Sequence, residues 1–216
     1  MKANHTRYTT AIIIPIFNPH RVASVWDNIR ENTKGEYHAY FLYPIALSMM
    51  PLIPSRGLTF IPYDPVEGNP YAQAINIGYR LTKETYVLIG SEDIGFYEKW
   101  LEYASIEMAN GVEVIGLNPV EKIDPRTILV KRKFLKEFSG VVDTPNTLLC
   151  EEYEDESFAL REFVETAKHR GVYSLSLSAK AAAVPPMWQR PAPPAPSDHD
   201  TELYKKRAWL WKGLQA

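Results

Sequence analysis

Tyr86-Val-Leu-Ile-Gly-Ser-Glu-Asp-Ile94 is a short apolar run that stops on two carboxylates. A run of this length reads as a buried strand that carries acid groups to a sheet edge, because unpaired carboxylates do not stay inside a core. Hard carboxylate oxygens at such an edge suit a divalent cation and the diphosphate that accompanies it. The same pattern also fits a strand that simply leaves the core into a polar loop.

The flanking sequence supplies the rest of the sheet. Thr10 to Phe17 is β-branched and aromatic, and Asn18-Pro19 breaks it, so it reads as a first strand. Val22, Val25, Trp26 and Ile29 recur at helical spacing and predict an amphipathic helix to about Asn32. His38 to Tyr43 and Leu58 to Tyr63 read as strands two and three. Tyr71 to Thr82 reads as a helix with Ala74, Ile77, Gly78 and Leu81 on one side, and Tyr86 to Ile89 as strand four. Tyr97 to Asn110 is predicted helical, followed by strands at Val112 to Gly116 and Thr127 to Val130 and a short helix to Phe138. Ser157 to His169 carries the stripe Leu160, Phe163, Val164 and Ala167, and Val172 to Leu177 reads as a last strand. Strands separated by helices imply crossovers and a mostly parallel α/β sheet, with ligands beyond the carboxyl ends of its strands. Asn18, Tyr43, Asp64 and Ser91 to Asp93 fall at those ends.

Composition is that of an ordinary globular protein: 216 residues, 45% hydrophobic, 23% charged, net charge −2. No global field draws the chain to nucleic acid or to a membrane. Cys150 is the only cysteine, which excludes an internal disulfide and a cysteine zinc site and suits a reducing, cytoplasmic setting. The apolar run from Ala11 to Phe17 is too short for a membrane span and is cut by Pro15, so no stable membrane insertion is expected. Gly-x-Gly-x-x-Gly, Walker-type, Gly-x-Ser-x-Gly and His-Glu-x-x-His signatures are all absent.

What remains resembles the GT-A glycosyltransferases, in particular the inverting family numbered two. Ile12-Ile-Ile-Pro-Ile-Phe-Asn18 is similar to that family's opening strand before the nucleotide pocket. Asn69-Pro-Tyr-Ala-Gln-Ala-Ile-Asn-Ile-Gly78 resembles its next conserved segment, and Leu88-Ile-Gly-Ser-Glu-Asp-Ile94 its Asp-x-Asp region, followed by Trp100-Leu101. Ile128-Leu-Val-Lys-Arg-Lys-Phe134 with Gly140 resembles the strand and loop before the catalytic segment. Tyr153-Glu-Asp-Glu156, with Arg161 and Gly171, resembles the Glu-Asp motif and its helix, and His199 the C-terminal metal histidine.

The resemblance implies a single GT-A domain, Rossmann-like, with a nucleotide-diphospho-sugar as donor and Mn2+ or Mg2+ as cofactor. Asp93 and His199 are the implied metal ligands. Pro15, Phe17, Asn18, Tyr43, Asp64, Asn76, Gly78, Ser91 and Glu92 are the implied donor-site residues, and Asp155 the catalytic base. An acidic residue is expected after strand two. That place reads Leu42-Tyr43-Pro44, with Asp64 as the substitute, and the metal motif is Ser-Glu-Asp rather than two aspartates. These departures keep a second reading open, a non-catalytic module that binds a nucleotide-sugar or a glycan. The acceptor is read only as a glycan, a protein such as a virion protein, or modified DNA.

The chemistry accounts for the residue types. An acceptor hydroxyl is a poor nucleophile at neutral pH, so a carboxylate must take its proton, and Asp155 is the candidate. Acidic residues before Ser157 also lie where a helix macrodipole favours them without any ligand, which is the reading taken for Glu154 and Glu156. Lys131, Arg132 and Lys133 are read as the solvated start of a surface helix. Tyr43 and Tyr63 could stack on a nucleobase, although half-buried tyrosines occur at strand ends without one.

The C-terminal part changes character. Residues 183–198 are rich in Pro and Ala and predict an extended strap around Trp188, after the GT-A-like catalytic domain at 1–182. Residues 199–216 form a basic, aromatic tail, read as a helix packed on the domain with its lysines in water.

Overall fold

The computed structural model describes residues 9–47, 55–119, 127–184 and 195–214. Within them the chain forms one eight-stranded sheet flanked by six α-helices. The strands are β1 (Thr10–Pro15), β2 (Tyr37–Pro44), β3 (Leu58–Tyr63), β4 (Tyr86–Ile89), β5 (Ile94–Phe96), β6 (Val114–Pro119), β7 (Ile128–Lys131) and β8 (Tyr173–Ala183). The helices are α1 (Val22–Asn32), α2 (Pro70–Leu81), α3 (Trp100–Ala109), α4 (Arg132–Phe138), α5 (Glu156–His169) and α6 (Asp198–Lys212), with a 3-10 turn at Pro19–Arg21 before α1.

The sheet order is β3-β2-β1-β4-β7-β6-β8-β5. β3, β2, β1 and β4 run parallel. β7 then enters antiparallel between β4 and β6, β6 and β8 are parallel, and β5 closes the far edge antiparallel to β8. The first half is therefore the parallel sheet expected, and the second half is mixed.

Alternation along the central strands sends side chains into two cores. Ala11 and Ile13 of β1, Val87 and Ile89 of β4, and Ile128 and Val130 of β7 face one layer, covered by α2, α4 and α5. Ile12, Ile14, Leu88 and Leu129 face the other, covered by α1 and α3. Both faces are dry, which explains the near-continuous apolar runs. Each fully buried Ile or Leu contributes about 1.5–3 kcal/mol.

Three expectations need correction. The helix expected from Tyr97 starts at Trp100, because Ile94–Phe96 is a strand paired with β8 and held to α1 by Asn28, whose amide bonds both the N–H and the carbonyl of Phe96. Leu81 is 60% exposed, and α2 is instead buried along Tyr71 to Asn76, because the loop after Gly140 and helix α5 cover its first turns. Arg132 is not solvated. It donates to the Glu84 carbonyl at 2.7 Å, the Tyr79 carbonyl at 2.9 Å and Thr82 Oγ1 at 2.6 Å, so it clamps β7 to the end of α2.

Residues 185–194 of the Pro-rich strap, Trp188 among them, lie outside the described residues. The tail is helical from Asp198, one residue earlier than expected, and lies on α5. Trp211 is buried against Tyr204, while Trp209 is 71% exposed. Arg207 locks the two helices: it is bidentate to Glu162 at 2.9 Å through Nε and Nη2, and it also reaches Asp143 at 2.8 Å. Tyr153 adds its hydroxyl to Glu162 at 2.7 Å. A charge pair this deep holds only because its oxygens and N–H groups are satisfied.

Candidate active site

The strand order reverses at β1: β2 and β3 lie to one side of it, β4 to the other. Crevices at such switch points collect ligands beyond the carboxyl ends of the strands. Pro15, buried, ends β1, and Ser91 to Asp93 follow β4. Glu92 closes the gap between them. Its Oε2 accepts the backbone N–H groups of Phe17 and Asn18, both at 3.0 Å. Burial pushes the Glu92 carboxyl above the usual carboxylate range, although these amides and Arg21 oppose it. Asn18 in turn caps the 3-10 turn through His20 N–H.

Ser91 is 8% exposed and donates its hydroxyl to Asp93 Oδ1. The Asp93 carbonyl accepts Val184 N–H at 2.6 Å, and Arg21 Nη1 donates to the Val184 carbonyl at 2.6 Å. The chain leaving β8 is thus pinned beside Asp93.

A second acidic segment runs from Glu151 to Asp155. The first turn of α2 ties it to the same sheet edge. Asn69 N–H donates to the Glu151 carbonyl at 2.9 Å, and its side-chain amide to the Glu154 carbonyl at 3.4 Å. Two residues on, the Tyr71 hydroxyl donates to the Gly90 carbonyl at 3.1 Å, at the base of the Ser91–Asp93 loop. Gly68, at φ +115°, brings the backbone close enough for this, since a Cβ there would stand 2.7 Å from the Glu151 carbonyl oxygen.

Asp155 is the N-cap of α5, with Oδ1 accepting Ser157 N–H at 2.8 Å. It lines a cavity of about 700 Å³ between the starts of α5 and α6, with Glu154, Glu156, Phe158, Pro196 and Asp200. Asp200 is fully buried, and its two oxygens accept the N–H groups of Glu154 and Asp155 at 2.8 Å each.

Other expected residues take structural places. Asn76 is fully buried and its amide is committed. Its oxygen accepts Leu148 and Leu149 N–H, and its nitrogen donates to the Leu149 carbonyl and to Glu151 Oε1 at 2.7 Å. It therefore holds the acidic loop and meets no ligand with its own polar atoms. Gly78 is where α2 crosses β1, since a Cβ would stand 2.7 Å from Ile13 Cγ2. Tyr63 is buried, with its hydroxyl on the Pro70 carbonyl, and burial pushes it up to about 12. Tyr43 is half-buried near the end of β2, and Asp64 is exposed just after the edge strand β3, one strand further from the switch point.

His199 is exposed, and Nε2 lies 3.1 Å from the Glu152 carbonyl. A carbonyl only accepts, so Nε2 carries the proton and Nδ1 is the nitrogen left for a ligand. Among the described residues no three His, Cys, Asp or Glu side chains converge on a metal site. The described residues do not by themselves form a cage for a cation.

The sequence gives no sign of the holding roles of Asn69, Tyr71, Arg21, Glu151 and Asp200. Asn69-Pro70 was a legible helix start, and Ser197-Asp-His-Asp200 has the spacing of a capping box. Ser197 does cap α6, but the Asp200 carboxylate turns instead to another loop.

No protein-family model and no curated protein sequence matches the chain. Solved structures do. The mannosyltransferase PcManGT from Pyrobaculum calidifontis, in complex with GDP-Man and Mn2+, has a TM-score of 0.60 at 13% identity over 86% of this chain and 59% of its own. Residues 1–349 of S. aureus TarS give 0.59 at 11% identity over 81% and 60%. The same fragment with UDP-GlcNAc gives 0.57 at 12% over 81% and 58%. The chain spans about three fifths of the length of these proteins. It has a GT-A-like glycosyltransferase fold, as the motif order led one to expect.

Proposed function

We propose that the protein is a glycosyltransferase that moves a sugar from a nucleotide-diphosphate donor to an acceptor hydroxyl. The observation that carries this is the first turn of α2. Through Tyr71 and Asn69 it fixes both the Ser91–Asp93 loop and the Glu151–Asp155 loop at the carboxyl edge of the parallel strands. The neighbours that share this fold bind GDP-Man and UDP-GlcNAc.

In this reading the donor lies at the switch point, along the loop of Phe17 and Asn18 that Glu92 orders. Asp93 faces the diphosphate. Asp93 would be the residue that holds a divalent cation, Mn2+ or Mg2+, and such an ion would supply charge neutralisation at the diphosphate. The acceptor enters the cavity beside Asp155. The acceptor oxygen bonds to the anomeric carbon as the bond from that carbon to the diphosphate oxygen breaks. The proton goes to Asp155 and the nucleoside diphosphate leaves, with inversion at carbon. General-base help of this kind is worth about 10²–10⁴-fold. Among the described residues the cavity is lined by four carboxylates and by no Lys or Arg, which favours a neutral or cationic acceptor over modified DNA.

Release of nucleoside diphosphate from GDP-mannose and UDP-GlcNAc, with Mn2+ and a panel of glycan acceptors, tests this. Asp155→Asn keeps the helix cap, and Asp93→Asn keeps an acceptor for Ser91. Each is expected to lower turnover by at least about 10²-fold. Unchanged turnover in either variant removes the role given to that residue.

The Ser-Glu-Asp metal motif and the Leu42-Tyr43-Pro44 sequence where an acid is expected favour a second reading, a module that binds a nucleotide-sugar without turning it over. Calorimetric binding without diphosphate release over long incubation selects it.

A further inference from the structure

We infer that Asp200 is a positioning residue that sets the orientation of Asp155, so that helix α6 is part of the catalytic apparatus. The inference rests on the glycosyltransferase reading above. Asp200 has no exposed surface, and its carboxylate is 2.8 Å from the N–H groups of two successive residues, Glu154 and Asp155. Two charge-assisted bonds to adjacent amides fix the peptide plane between them and the backbone from which the Asp155 side chain projects. The Asp155 side chain leaves that backbone at the start of α5, where it caps the helix and lines the cavity.

Asp200 is itself held from both directions. Its own N–H donates to Ser197 Oγ at 3.1 Å, which squares the first turn of α6. Further along the helix, Arg207 grips Glu162 of α5 and Asp143, and the Tyr153 hydroxyl meets the same Glu162. Tyr153 precedes Glu154 directly, so α6 holds Glu154 and Asp155 through Asp200 and reaches Tyr153 through Glu162 of α5. A carboxylate meant only to cap α6 would bond to amides of its own helix. This one leaves its helix for a loop 45 and 46 residues earlier.

Asp200→Asn tests the inference. The amide offers one oxygen to two N–H groups and turns its NH2 against the other. Misplacement of a reacting group by about 1 Å can cost about 10²-fold. Asp200→Asn is therefore expected to lower kcat between about ten- and a hundredfold with the donor KM nearly unchanged. Amide hydrogen exchange at Glu154 and Asp155 should quicken about tenfold, while α6 from Tyr204 to Trp211 stays protected through Arg207. Ser197→Ala, a milder change, should move kcat in the same direction by less. Met108→Ala, a core truncation in α3 chosen for a matching fall in Tm, should leave kcat of the folded enzyme intact.

Faster exchange at Glu154 and Asp155 with unchanged kcat overturns the positioning role. So does an equal loss of kcat in Met108→Ala, which would assign the effect to general stability. If the wild type transfers no sugar at all, the glycosyltransferase reading fails first, and the catalytic meaning of the clamp falls with it. Exchange at the two amides then reports the clamp alone.

Discussion

Tyr71 donates its hydroxyl to the carbonyl oxygen of Gly90 at 3.1 Å, inside the core, and so fastens helix α2 to the point where β4 gives way to the acidic loop. Tyr71→Phe removes the donor and leaves a buried carbonyl short of a partner, at a cost of about 1–3 kcal/mol. The Ser91–Asp93 loop loses its lateral support, so donor KM should rise along with the fall in Tm. Chemical denaturation and donor titration check the two halves. A variant that loses stability and keeps its donor KM separates the bond from the site.

The carboxylate of Glu92 gathers two amides, those of Phe17 and Asn18, with one oxygen. Glu92→Ala frees this loop and should weaken donor binding by about tenfold or more, which corresponds to roughly 1.4 kcal/mol. Glu92→Gln retains an oxygen in the same place and should stay within a few-fold of the wild type. Calorimetry on the pair distinguishes loop ordering from direct contact with the donor. Equal losses in Gln and Ala point to the charge itself.

Gly78 lies against Ile13 and Leu42, both fully buried. Alanine would gain about 1 kcal/mol of helix propensity. It would also place a methyl 2.7 Å from Ile13 Cγ2 in a closed core, where overpacking costs about 1–3 kcal/mol. Gly78→Ala is expected to lower Tm and to leave donor affinity unchanged in the folded protein. Loss of donor affinity at unchanged Tm would return Gly78 to the binding site.

Asp143 is held below the usual carboxylate range, chiefly by the hydrogen bond from Arg207. The Arg207 guanidinium, which burial alone would push down, is raised by Glu162 and Asp143 and stays charged. A carboxylate depressed in the folded chain stabilises it above the unfolded pKa, and that contribution fades as pH falls through the folded value. The stability gap between wild type and Asp143→Asn should be open near neutral pH and close below about pH 4. Thermal melts across pH measure it, and a gap that does not narrow as pH falls below about 4 contradicts the assignment.

The parallel half of the fold was legible because its strands are apolar on both faces. Ile12 to Ile14 and Val87 to Ile89 feed two separate cores, and only a covered sheet requires that. β5 was not legible: three residues carry too little pattern, and its partner β8 lies far along the chain. Arg132 was misread because a basic triplet looks solvated until the carbonyls at the end of α2 are seen to need donors. The motif order pointed to Ser91–Asp93 and to Asp155, the residues on which the proposed function draws. Asn76 was read as a ligand contact, and its bonds are all internal. Asn69 and Asp200 carry local helix-start signatures, but their loop-holding bonds leave no trace there, because the partners are 45 or more residues away.

That separation of 45 residues between Asp155 and Asp200 also orders events during biosynthesis. The ribosome makes the sheet and helix α5 before it makes the first turn of α6. A nascent chain that has passed Asp155 can already bury β1 and β4, yet it lacks the carboxylate that secures the acidic loop. That loop is secured only once helix α6 has emerged and docked.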